Sequence, residues 1–190
     1  MRRHQMLRVI GGTARGRKLK TVPGEGTRPA LSVVRAAVFN IARGLVPGSR
    51  FLDLFAGTGS YAIEALSRGA AEATLVELNP RAVAVIRSNL ENCGFAEAAR
   101  LIQGDVLQVV ERLRDEGRVF DIIMVAPPYF QGLAPRVMEK IAALGLLQEG
   151  GICFVQHHVK EEIPPRFPPL ALAKRYKYGS TELSLFGHTD

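Results

Sequence analysis

From residue 50 onward the chain alternates two kinds of apolar pattern. Short continuous runs at 51–54, 74–77, 100–103, 120–125 and 152–156 read as strands buried on both faces. Between them, at 61–68, 80–92, 106–113 and 134–144, apolar residues recur every three or four positions, the spacing of helices with one buried face. Strand and helix in alternation predict an α/β, doubly wound, mainly parallel sheet covered by helices on both sides. Asn79 with Pro80 marks a helix start, and Gly69 and Gly94 mark helix ends. After the proline-rich stretch 164–169, segments 174–178 and 181–186 flank Gly179-Ser180 as a closing antiparallel hairpin, which brings the sheet to about seven strands.

The first 49 residues are patterned differently. Residues 7–10 and 17–22, separated by Gly11-Gly12, predict a short basic hairpin or ribbon. Thr27-Arg28-Pro29 then opens a helix whose apolar positions are Leu31, Val34, Val38, Ile41 and Leu45, ended by Pro47-Gly48. Two units are expected: a basic N-terminal hairpin and helix, 1–49, packed on the core, and the sheet domain, 50–190.

Charge sharpens this division. Residues 1–50 hold eleven Arg or Lys against the single acid Glu25, a local +10 that leaves −3 for the rest of a chain totalling +7. Clustered cations at one end suit a polyanion, and Gly11, Gly12 and Gly16 would let backbone N–H groups approach phosphate closely. No apolar stretch approaches the roughly 20 residues of a membrane span. The start, MRRHQMLRVIGG, lacks the apolar core of a secretory signal, so a cytoplasmic protein without a membrane partner is expected. Cys93 and Cys153 are too isolated for a disulfide framework or metal cluster. His157 and His158 read as surface or rim residues.

In open parallel sheets the ligand lies beyond the carboxyl ends of the strands. The first strand runs into Asp53-Leu54-Phe55-Ala56-Gly57-Thr58-Gly59, a glycine loop opening a helix. The second ends at Glu77, placed to accept ribose hydroxyl hydrogens, and the third is followed by Asp105 and Val106, with Asp105 able to accept from an exocyclic amine. The fourth stops at Ala126-Pro127-Pro128-Tyr129. Gly57-x-Gly59-x-x-Ala62 also satisfies a dinucleotide fingerprint, so an NAD enzyme is a rival reading. S-adenosylmethionine is favoured by Asp53, suited to a cationic amino-acid moiety, and by the proline turn.

DLFAGTG, VELN, GDV and APPY, in that order, resemble the class I S-adenosylmethionine-dependent methyltransferases, and APPY is similar to the D/N-PP-Y/F motif of enzymes that methylate exocyclic amines. RVIGGTARGRKL, then TRP and VRAAVFN, then GSYAIEALSRGA together resemble the bacterial small-subunit ribosomal RNA guanine-N2 methyltransferase family, which modifies one guanine of 16S RNA. The resemblance implies a Rossmann-like fold with S-adenosyl-L-methionine as cofactor. It assigns Asp53, Gly57 and Gly59 to the methionine end, Glu77 to the ribose and Asp105 with Val106 to the adenine, with Phe55 and Leu78 also on the cofactor. Arg8, Arg15, Arg17 and Lys18 would meet RNA backbone, with Arg28 near the substrate loop. Ala126, Pro127, Pro128 and Tyr129 would form the acceptor pocket, Tyr129 offering a face for an extruded base. The implied partner is 16S RNA in a partly assembled small subunit, met by a monomer.

One departure stands out. The family motif begins with Asp or Asn, and this chain has Ala126. An N6-adenine methyltransferase, sharing the proline turn, and a non-catalytic RNA-binding or assembly factor, lacking the acceptor, therefore stand beside the guanine-N2 enzyme.

Overall fold

The protein, seen in a computed structural model, is described over residues 7–22 and 29–189. Its elements follow in the order α1 (Pro29–Ile41), β1 (Arg50–Asp53), α2 (Ser60–Ser67), β2 (Glu72–Glu77), α3 (Pro80–Cys93), β3 (Ala99–Gln103), α4 (Val106–Asp115), β4 (Phe120–Val125), α5 (Leu133–Leu144), β5 (Leu147–His158), β6 (Arg166–Phe167), β7 (Leu170–Tyr178) and β8 (Thr181–His188). They build one sheet in the order β3-β2-β1-β4-β5-β8-β7-β6. The first five strands in that order are parallel, and β8, β7 and β6 close it antiparallel.

The alternation of side chains along each strand fills two cores. Phe51, Leu75, Met124 and Phe154 point to one face, under α1, α2 and α3. Leu52, Val76, Ile123 and Val155 point to the other, under α4 and α5. Two buried faces explain why these strands read as continuous apolar runs. Helix α3 starts where Asn79 accepts from Arg81 N at 2.9 Å with Pro80 in its first turn, and ends at Gly94 with φ 76°. Gly69, φ 96°, follows the cap of α2 at Arg68.

Three expectations need correction. The sheet has eight strands rather than seven, because Arg166–Phe167 pairs with Leu170 and Ala171 inside the stretch read as a proline loop. Two residues beside Pro168-Pro169 are too short a run to show a period. Helix α1 stops at Ile41, not Leu45, and the chain continues in turns to Gly48. The N-terminal ribbon reduces to one antiparallel bridge, Arg8 with Lys18. Val9 N, Gly16 N and Leu19 N bond within it, while Ile10 N and Gly11 N donate to Glu64 and Ala14 N to Ser67 Oγ, both acceptors being on α2. Val9, Ala14 and Leu19 sit in the first core, so this segment is docked on the sheet domain.

Candidate active site

The order β2-β1-β4 makes the chain reverse its direction of growth between β1 and β4, the point beyond whose strand ends open α/β sheets hold their ligands. Asp53, the last residue of β1, is fully buried, and among the described residues neither carboxylate oxygen has a hydrogen-bond partner of ordinary geometry. Burial raises its pKa from 3.8 to about 7 and Glu77 pushes it the same way, while the Ala62 and Phe55 amides pull it part of the way back without reaching ordinary hydrogen-bond geometry. A buried carboxylate without a donor is costly, and a ligand cation is the partner that would relieve it.

The glycine loop is held by its neighbours. Leu54 N donates to Met124 O at 3.0 Å, Ala56 N to Val76 O at 3.0 Å and Gly59 N to Ala56 O at 2.7 Å. Gly57 N donates to Glu77 Oε2 and Asn79 N to Glu77 Oε1, both at 2.8 Å. Glu77 thus fixes the loop through one lone pair on each oxygen and keeps the others for a ligand. Gly57 has φ 56°, and a Cβ there would meet nothing within 4 Å, so its backbone borders open space. Gly59, φ 76°, would press a Cβ to 3.3 Å from Ile86. Leu78 is 64% exposed beside Glu77, and Phe55 is half-buried.

Asp105 and Val106 stand further along, after β3. Asp105 is exposed and caps α4, accepting from Leu107 N at 2.9 Å. The Val106 side chain belongs to the second core, which leaves its backbone for a ligand. The structure therefore gathers Asp53, Gly57, Gly59, Glu77 and Leu78 at two adjacent strand ends and sets Asp105 beside them with one oxygen already used.

After β4, Ala126 is half-buried, Pro127 buried and Pro128 exposed. Tyr129 Oη lies 2.9 Å from Thr181 Oγ1, which anchors the ring to β8. The last registered pair of β4 and β5 is Val125 with Val155, so Gln156 lies level with Ala126. Gln156 Oε1 accepts from Tyr61 Oη at 2.7 Å. Burial holds the Tyr61 phenol far above its ordinary pKa, so it stays a donor; Asp53 and Tyr129 act in the same direction and Arg35 in the opposite one. His157 corrects a further expectation: it is 2% exposed, between β5 and β8, with Nε2 2.9 Å from Ser184 Oγ. Burial lowers its pKa, making it a neutral structural residue.

Arg8, Arg15, Arg17 and Lys18 are all exposed on the docked N-terminal segment. Arg8 donates to Gly16 O and Arg17 to Asn92 O, contacts that orient both side chains. Arg28 lies outside the described residues. Gly12 is required by packing, and the Gly11 amide is already used by Glu64. A Cβ at Gly12 would fall 1.7 Å from Ser67 O, and one at Gly11 2.5 Å from the Arg68 guanidinium.

The groups that pattern reading missed are Glu64, Ser67 and Asn89. Glu64 is fully buried, accepting from Ile10 N, Gly11 N and Arg68 Nε, each at 2.8 Å, with Arg35 Nε 3.9 Å away. Asn89 accepts from Lys20 N and donates to Lys20 O and to Thr58 O in the glycine loop. Among the described residues no cluster of three or more His, Cys, Asp or Glu could hold a metal, and no helix is long and apolar enough to cross a membrane.

Residues 7–187 match the family described as conserved hypothetical protein 95. Ribosomal RNA small subunit methyltransferase D of Escherichia coli K12 is 32% identical over 160 residues, 83% of this chain and 78% of that protein. Two solved structures superpose with TM-score 0.83: yhhF from Escherichia coli, 30% identical over 96% of this chain and 98% of its own, and a hypothetical protein of Thermus thermophilus, 33% identical over 97% and 100%.

Proposed function

Since the chain belongs to the conserved hypothetical protein 95 family, with small-subunit ribosomal RNA methyltransferases among its relatives, we propose that it methylates the exocyclic N2 of a guanine in 16S RNA, with S-adenosylmethionine as donor. The observation that carries the donor assignment is Asp53: buried, without a well-formed hydrogen bond among the described residues, and next to a glycine loop whose Gly57 backbone borders open space. The donor set fits that group, an acid for its ammonium, Glu77 for its ribose diol and the apolar face of Leu78 beside it. When bound, the cofactor supplies an electrophilic methyl on a sulfonium, so no side chain has to carry the methyl covalently.

The rest falls to the acceptor side. A guanine amine is a poor nucleophile because its lone pair is delocalised into the ring, and acceptors around its N–H bonds favour the pyramidal form while holding it in line. The carbonyls of Ala126 and Pro127 are two such acceptors, on a turn stiffened by Pro127 and Pro128. Gln156 Oε1, level with Ala126 and oriented by Tyr61, takes the place of the missing side-chain acceptor. Replacing Gln156 with Ala is then expected to lower kcat about 100-fold with little change in cofactor affinity, and adding Ala126→Asp to that variant to restore most of the rate. Failure of the second substitution to restore turnover, with the fold intact by circular dichroism, counts against Gln156 as the acceptor.

Arg8, Arg15, Arg17, Lys18 and Arg28 form the RNA-backbone contact, in a cytoplasmic monomer acting on a partly assembled small subunit. Replacing Arg15, Arg17 and Lys18 together by Ala should weaken RNA binding and reduce the slope of log K against log salt by about 2 to 3, leaving cofactor affinity unchanged. An unaltered slope rules the contact out.

The reaction itself is tested by tritiated methyl transfer to unmodified small-subunit RNA, naked and in assembly intermediates, followed by nucleoside identification. N2-methylguanosine supports the proposal, and N6-methyladenosine moves the target to adenine. Cofactor binding without label supports the second reading, a binding factor, which Ala126 specifically favours.

A further inference from the structure

Phe130, directly after the acceptor turn, combines two features that a folded chain normally avoids. Its side chain is 65% exposed, and its φ of 62° is the one positive value among the described residues other than glycine. Bulky residues rarely adopt this backbone conformation, and where they do the surroundings must hold it. The surroundings here are specific. Phe130 N donates to Glu161 Oε1 at 2.8 Å, and the other oxygen of the same carboxylate accepts from His158 N at 2.8 Å. One acid thus ties the loop after β4 to the end of β5.

The rings are arranged accordingly. The His158 ring lies 4.8 Å from that of Phe130, tilted by 47°, and supports it from the β5 side. Tyr129 is 6.4 Å away at 82°, nearly perpendicular. A single planar base cannot lie flat against both Tyr129 and Phe130, so the two rings offer faces to two different bases. Burial does not explain Phe130, because most of the ring remains in solvent, and no local hydrogen bond requires an aromatic side chain there.

We propose that Phe130 is a stacking platform for the unpaired RNA base next to the methylated one, with Glu161 as the positioning residue that presents it. This assignment rests on the RNA-methyltransferase reading above. Stacking on an aromatic face tolerates any base, so the site contributes affinity and aligns the strand without dictating sequence. It also differs in kind from the cationic N-terminal segment, since an apolar contact releases no counterions.

That difference makes the test selective. Binding of a small-subunit RNA transcript is measured by filter retention at several salt concentrations for the wild type, Phe130→Ala, Phe130→Tyr, Glu161→Ala and the Phe130→Ala/Glu161→Ala double variant, with S-adenosylhomocysteine affinity as the check on folding. Phe130→Ala is expected to weaken RNA binding about 10-fold or more at every salt concentration with an unchanged salt slope, and Phe130→Tyr to recover it. Glu161→Ala should also weaken binding but add nothing in the double variant, because its effect passes through the ring. Wild-type RNA affinity in Phe130→Ala, or fully additive losses in the double variant with cofactor affinity intact, would overturn the assignment while leaving the enzymatic reading untouched. Failure of the wild type itself to bind RNA overturns both.

Discussion

Replacing Asp53 with Asn is expected to weaken S-adenosylmethionine binding by about two to three orders of magnitude while making the ligand-free protein more stable at neutral pH. The two effects share one cause. With its pKa raised to about 7 by burial, the carboxyl is held in a place that disfavours its charge. Below about pH 4 the folded and unfolded chains both keep the proton and the site costs nothing electrostatically. As pH rises from there to about 7, the unfolded chain ionises freely while the folded one does not, so stability falls across that window and the loss is complete above it. The limit set by the shift is about 4 kcal/mol. An Asn amide still carries buried polar atoms, so the net gain above pH 7 should be nearer 1–3 kcal/mol, several degrees in Tm. Thermal melts between pH 4 and 8 with and without S-adenosylhomocysteine, together with calorimetric titration, measure both. An Asn variant less stable at pH 8, or one that binds the ligand as tightly as the wild type, would show that Asp53 is not waiting for a cation.

The second large effect belongs to Glu64. Gln at this position is expected to cost about 3 kcal/mol of stability and to release the N-terminal segment first. The substitution leaves the Arg35 guanidinium, 3% exposed, without the carboxylate that compensates its burial. Burial already lowers the pKa of Arg35, with Glu64 opposing that shift. It also leaves the Ile10 and Gly11 amides and Arg68 with a single carbonyl oxygen between them. Hydrogen exchange should accelerate at Ile10 and Gly11 by about 100-fold, and trypsin should cut at Arg15, Arg17 and Lys18 before it cuts the sheet domain. Adding Arg35→Met should recover part of the stability by removing the uncompensated cation. Unchanged protection at Ile10 and Gly11 would mean that the packing of Val9, Ala14 and Leu19 and the bonds to Ser67 and Asn89 hold the segment without Glu64.

What could be read from the chain beforehand depends on the range of the interactions. β4 was legible residue for residue, because a strand buried on both faces is an uninterrupted apolar run, and a Pro-Pro turn ends it visibly. The placement of Asp53, Glu77, Asp105 and Ala126 was legible because each sits at or just after the end of a recognisable strand. Glu64 was not: written in sequence it is one more helical acid, and its partners Ile10 and Gly11 are 54 and 53 residues away. Its neighbours Ala62, Ile63, Ala65 and Leu66 are all buried, and that apolar setting was the only local sign that the acid lies inside. Gly11 and Gly12 were visible as glycines, but the Ser67 carbonyl that requires one of them comes from a helix on the far side of α1 in the chain. Phe130 carries no role in the sequence pattern, and Glu161, which holds it, lies 31 residues away.

Asn89 ties together the two surfaces proposed to meet ligands. Its side chain bonds Lys20 in the basic segment and Thr58 in the glycine loop at the same time. Those surfaces therefore share a strut, and neither can shift without loading the other. Thermodynamic linkage makes any such coupling reciprocal: if a bound cofactor changes the affinity for RNA by some factor, bound RNA changes the affinity for cofactor by the same factor. Order of addition is then a question of concentrations and rates, while the coupling itself is a single number belonging to the pair.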